Sequence, residues 1–279
     1  MIDLVQIELY KIFRKWRTYI GFIAIGVLVP VIQIAMVFEG SRTLDFMTRN
    51  LQHSFFFVGN LLNMYLIAYF IFGSLTVHIP FLIALVAGDL LAGEATSGTY
   101  RILITRPVSR FRIVLSKFLA GVIYSNLLVF WLALISLGLG FFIFGTGELM
   151  VFKSGTIIIF SKTDVFWRFL LAYGFAGLSM TVVCSVAFLF SSLVENAIGP
   201  IVTTMAIIIV FIIISAIDLN IFKTIKPYLF TTYMSDWRLF FDKPVEFGEI
   251  IKSALILFAH IIGLFAITTF IFRKKDILS

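Results

Sequence analysis

Between Gly93 and Lys117 the chain places Glu94 ahead of five cations, Arg101, Arg106, Arg110, Arg112 and Lys117. Guanidinium forks engage carboxylates or phosphates through paired hydrogen bonds. Glu94 can pair with a basic residue of the same stretch or with another chain, so the chemistry on offer is ionic recognition. Catalytic alternatives are poorly supplied. The sequence has no G-x-x-x-x-G-K-[ST] phosphate loop, no H-E-x-x-H pair and no G-x-S-x-G elbow. Its three histidines and one cysteine form no recognisable metal site. Ser179 and Cys184 are nucleophile types, but the small residues Ala172, Gly174, Ala176 and Gly177 beside them read as a close-packed helix face. No enzymatic role is expected of this chain.

The elements that must hold this stretch follow from its punctuation. A helix runs through Gly88 and Asp89 to Glu94, and Ser97-Gly98 breaks it. Thr99 then serves as N-cap for a short helix, Tyr100 to Thr105, which has to stop before Pro107. After Arg106-Pro107-Val108, Ser109 caps a further helix that passes through Lys117. The result is a short helix held between two breaks, placed like a handle. A basic loop that only orients the chain in a membrane is the plainer alternative.

Composition supplies the setting. Hydrophobic residues make up 61% of the chain and charged residues 13%, too few to cover a water-facing surface. Crossing a hydrocarbon core of ~30 Å takes about 20 apolar residues. Six segments qualify, at about 19–38, 61–88, 118–144, 166–190, 197–217 and 251–272. The expected fold is an all-α integral membrane protein in which residues 1–279 form a single transmembrane domain. The outer loop, residues 218–250, is too short for an independent domain. Its aromatic residues alternate with charges, as in an interface belt, and short capping helices are expected there.

Residues 1–18 read as an amphipathic interfacial helix. Ile2, Val5, Leu9, Ile12, Phe13 and Trp16 fall on one arc, while Lys11, Arg14, Lys15 and Arg17 point elsewhere. The apolar run that follows has no small-x-small cleavage site, so it reads as a retained anchor. With the N-terminus inside, inner segments carry 12 Lys/Arg against 6 Asp/Glu, and outer ones 10 against 9. The positive-inside rule then puts both termini and the 89–117 segment in the cytoplasm of a multi-pass plasma (inner) membrane protein.

No Asp, Glu, Lys or Arg lies in the middle of a span. A charge in hydrocarbon costs several kcal/mol and marks coupling paths in ion-driven carriers, so energy is expected to enter from outside the spans. His78, two residues before Pro80, reads as a partner for backbone freed by a kink, and His260 as an interhelical hydrogen bond. Spans rich in Phe, with few polar side chains (Gln33, Asn63, Asn126), would suit a hydrophobic or amphipathic cargo, while phenylalanines that simply face lipid are the plainer alternative; the cargo and its binding residues stay unassigned.

Glu94, Gly98-Thr99, Ile102-Leu103, Arg106-Pro107-Val108-Ser109-Arg110 and Lys117 together resemble the segment between spans two and three of type-2 ATP-binding-cassette export permeases. The ends "ELYKIFRKWRTYI" and "FIFRKKDILS" are similar to that family's ends as well. Tyr100 stands where the family often has Leu, and Ser116 where Gly commonly precedes the Lys. The resemblance implies a half-transporter in which two permease chains, alike or different, pair with two cytoplasmic ATPases. Those partners, not this chain, would hold ATP and Mg. It implies that the 89–117 segment is the coupling element, with Glu94, Gly98, Thr99, Arg101, Arg106, Pro107, Ser109, Arg110 and Lys117 toward the ATPase. The basic N-terminal helix would lie near the same ATPase. Membrane lipid is the remaining partner, and nucleic acid is not one. A stand-alone channel or secondary carrier, or a membrane scaffold, are the competing readings.

Overall fold

The computed structural model describes residues 1–49, 60–99, 108–153 and 156–274, the side chain of Met47 excepted. The chain opens with α1 (Ile2–Arg14), which breaks at Lys15 and continues as α2 (Trp16–Thr48). Next come α3 (Met64–Ala87), α4 (Asp89–Thr96) and α5 (Arg110–Phe144). A hairpin of β1 (Leu149–Lys153) and β2 (Thr156–Phe160) leads into α6 (Lys162–Leu193) and α7 (Ile198–Ala216). The short helices α8 (Asn220–Lys223) and α9 (Phe230–Met234), with 3-10 turns at Lys226–Tyr228 and Asp236–Phe241, precede α10 (Phe247–Lys274). Among the described residues six helices are long and apolar enough to cross a membrane, with α3 and α4 acting as one.

Local chemistry explains most of the boundaries. Asn63 caps α3 by accepting from the amides of Tyr65 and Leu66, and Ser109 caps α5 by accepting from Arg112. Gly98, at φ 67°, ends α4 in a conformation few side chains tolerate. Gly88 joins α3 to α4 where α7 comes close; a Cβ there would stand 3.0 Å from Ile201 Cγ1.

Helix α2 reaches Thr48, well beyond the expected end of span one near residue 38. Its polar turns sustain it: Arg42 pairs with Glu39, and Thr43 and Thr48 bond back to carbonyls of their own helix. The antiparallel hairpin, with Leu149 opposite Phe160, was not anticipated in what reads as a short connection.

The most buried span is α6, with α3, α5, α7 and α10 packed around it. At one end an aromatic core forms from Phe72, Phe169, Tyr173, Trp237 and Phe241. Arg168 binds the cap to it. Its Nη1 donates to the carbonyls of Phe240 and Asp242, it pairs with Asp164, and its guanidinium lies 4.5 Å from the centre of the Phe160 ring. Lys153 of the hairpin reaches Asp242 at 2.7 Å. The hairpin and the 218–250 segment thus close the end of the bundle away from the chain termini, with short helices as expected.

Candidate functional site

The opposite end holds a second polar structure. Lys117 projects from the second turn of α5 and is 1% exposed. An ammonium so far out of water needs close anions, and it has two: Nζ donates to Glu8 Oε2 and to Glu94 Oε1, each at 2.7 Å. Lys11 makes the same two connections from the other side, to Glu8 Oε1 at 3.0 Å and Glu94 Oε1 at 2.8 Å. Two carboxylates and two ammoniums therefore alternate around a ring drawn from α1, α4 and α5. Thr99 Oγ1 donates to Glu94 Oε2, and its amide bonds the Glu94 carbonyl at 3.1 Å. Burial works against the Lys11 ammonium, but the hydrogen bond to Glu94 and the charge of Glu8 outweigh it and raise its pKa above the ordinary lysine value.

A second set centres on Asp89, at the start of α4. Its carboxylate accepts from Lys15 Nζ at 2.5 Å and pairs with Arg17 at 3.1 Å. Gly93, one turn on, makes room for it: a Cβ there would lie 2.5 Å from Asp89 Oδ1. Thr18 Oγ1 donates to the Ile12 carbonyl across the α1–α2 break, and Tyr124 of α5 donates to the Thr18 carbonyl. Ser191 of α6 accepts from the amides of Leu91 and Ala92, and Thr96 donates to the Glu195 carbonyl. Between the two ionic sets lies a cavity of about 30 Å³. The assembly ties α1, the foot of α3–α4 and the head of α5 into one charged joint.

The joint gathers Lys11, Lys15, Arg17, Glu94, Thr99 and Lys117 from the sequence candidates. Their placement differs from expectation. The α1 face that meets the bundle carries Glu8 and Lys11 beside Ile12, while Ile2 and Trp16, of the apolar arc expected to lie in the membrane interface, are 73% and 75% exposed. Lys11, Lys15 and Arg17 turn toward the protein because carboxylates wait there. Lys117, expected on the helix after Ser109 among the contacts toward an ATPase, is enclosed for the same reason. Arg14 is exposed and makes no ion pair among the described residues. Gly98 and Ser109 act as terminator and cap, and Arg110 donates to the Arg273 carbonyl at 3.0 Å, which brings the foot of α10 to the same end. Arg101, Arg106, Pro107 and the short helix Tyr100 to Thr105 lie outside the described residues.

Glu8 and Asp89 were missed as site residues. Glu8 stands three residues before Lys11 and four before Ile12, a spacing that puts all three on one helical face. The few polar side chains of the spans serve the fold. Gln33 donates to the Ser136 carbonyl, Asn63 caps α3, and Asn126 bonds Thr181. His78 Nδ1 meets the Ser74 carbonyl of its own helix at 2.9 Å. His260 reaches the Tyr228 carbonyl of the cap at 3.2 Å, where an interhelical bond was expected.

Comparison with known proteins agrees with this architecture. Residues 2–277 match the family model described as ABC-2 family transporter protein. The YhcI protein of Bacillus subtilis (strain 168), itself described as uncharacterized, is 26% identical over 201 residues, which is 69% of this chain and 63% of that relative. The aligned region thus spans less than two thirds of YhcI. Six membrane-length helices among the described residues and a family match over nearly the whole chain lead to one assignment: the chain belongs to the ABC-2 transporter family, as a multi-pass membrane protein.

Proposed function

We propose that the chain is half of an exporter in the plasma membrane, pairing with a second permease chain and driven by cytoplasmic ATPase subunits that bind ATP and Mg. The ATPase docks on the segment between Thr99 and Arg110, with Arg101, Arg106 and Arg110 as its ionic contacts. Both termini then face the cytoplasm. The observation that carries this reading is the ionic joint, because Glu94 precedes the docking segment, Lys117 follows it, and α1 is bonded to both. A push on the segment is therefore delivered to α1, α4 and α5 together. Such a push does work only if the contacts differ between states, and an alternating ring of charges can be re-paired one bond at a time.

The test uses the complex purified with its ATPase. Arg101→Ala should weaken co-purification, whereas Glu94→Gln should leave the ATPase bound and lower transport-linked ATP hydrolysis several-fold. If both variants keep assembly and transport-linked hydrolysis at the level of the unaltered chain, the proposal fails.

A further inference from the structure

At the capped end, between α3, α7 and α9, lies a cavity of about 310 Å³, at the lower end of the ~300–1,000 Å³ range of small-molecule sites. One wall is polar, with Ser215, Thr231, Thr232, Ser235 and Arg238. The other is apolar, with Val77, Ile212 and Met234. No acidic residue lines it among the described residues.

The hydrogen-bond inventory of the polar wall favours an anion. Thr232 Oγ1 donates its proton to the Lys226 carbonyl at 2.9 Å. The Ser215 hydroxyl lies 2.8 Å from that of Thr231 and 3.2 Å from that of Thr232; with the Thr232 proton committed, Ser215 donates to Thr232 and Thr231 donates to Ser215, so these three hydroxyls satisfy one another. The Ser235 hydroxyl makes no hydrogen bond, and Arg238 no ion pair, among the described residues. The Arg238 guanidinium is held 5.5 Å from the ring centre of the buried Trp237, which steadies its fork. Donors thus converge on the cavity without an anion to receive them. The apolar wall continues on α7 into exposed Ile209, Val210 and Ile213.

We propose that this cavity binds an anionic amphiphile, its acidic headgroup on Arg238 and Ser235 and its apolar chain along Val77 and Ile212. A bilayer lipid and a soluble amphiphile share that chemistry. The proposal stands apart from the ATPase reading, since binding is measured on this chain alone.

The full chain in detergent is titrated with lysophosphatidylglycerol and lysophosphatidylcholine, and retained diacyl lipid is read by native mass spectrometry. The anionic lysolipid should bind about tenfold more tightly than the zwitterionic one. Arg238→Gln should bring the two within about twofold and Arg238→Lys should keep a preference. Ala216→Phe, which fills the cavity, should weaken both. Retained diacyl phosphatidylglycerol that the lysolipid displaces identifies a bilayer occupant, and a site that fills only from solution identifies a soluble one; either supports the proposal. Equal affinity for the two headgroups in the unaltered chain, or a preference that survives both Arg238→Gln and Ala216→Phe, overturns it. So does inorganic phosphate competing as well as the lysolipid, because the apolar wall would then contribute nothing.

Discussion

Lys117 sits between two carboxylates with almost no access to water, so its removal leaves Glu8 and Glu94 buried with half their charge compensation gone. Breaking such a group by deleting one partner costs roughly 3–5 kcal/mol. Lys117→Met should lower the melting temperature in detergent accordingly, and pairing it with Glu8→Gln should recover part of the loss. Lys15→Ala, at a half-exposed lysine, should cost less than about 1 kcal/mol in the same melt. Asp236, in the cap, offers a pH signature. Burial raises its pKa and the charge of Glu249 adds to this, while the hydrogen bond from Ser253 and the charge of Lys252 oppose it. A raised folded-state pKa gives stability that is complete below the unfolded value, about 4, and is lost as pH rises through the folded value. Relative to Asp236→Asn, the unaltered chain should therefore lose melting temperature between pH 4 and pH 7. A constant difference across that window would count against the shift.

At the scale of elements, the ionic joint depends on how closely α4 and its neighbours approach. Gly93 has no side chain because the Asp89 carboxylate occupies the space. Gly93→Ala should push that carboxylate away from Lys15 and Arg17 and cost about 1–3 kcal/mol, as overpacking does, with a matching fall in melting temperature. Gly138→Ala, where a Cβ would meet nothing within 4 Å, serves as the control and should be neutral or slightly stabilising. The breaks that frame this region were legible locally. Gly98 and Ser109 act through their own backbone preference or hydroxyl and need no distant partner. The β1–β2 hairpin was not legible, because the run Thr156–Phe160 resembles any apolar stretch until Phe160 is placed beneath Arg168.

For the whole molecule, the two polar ends differ in kind: a joint of paired charges where the chain begins and ends, and a cap of aromatics and short helices at the other. Single cysteines test which end faces the cytoplasm. In a Cys184→Ala background, Asp3→Cys and Val108→Cys should resist an impermeant thiol reagent added to intact cells, and Lys153→Cys should react. Labelling of Val108→Cys from outside would reverse the orientation.

The number and rough extent of the spans are properties of the amino-acid order alone, since the thickness of the hydrocarbon core sets how long an apolar run must be. The family resemblance was legible too, because it rests on short motifs near residues 94–117. Which charges face inward was not. Lys11 meets Glu94 from 83 residues away, Lys15 meets Asp89 from 74, and Lys117 meets Glu8 from 109. On a helical wheel each cation looks like a solvated anchor; only packing brings the carboxylates that turn it inward. The capped cavity likewise exists only once α3, α7 and α9 are brought together, because its apolar lining joins Val77 to Ile212, residues more than a hundred positions apart that make no pattern along the chain.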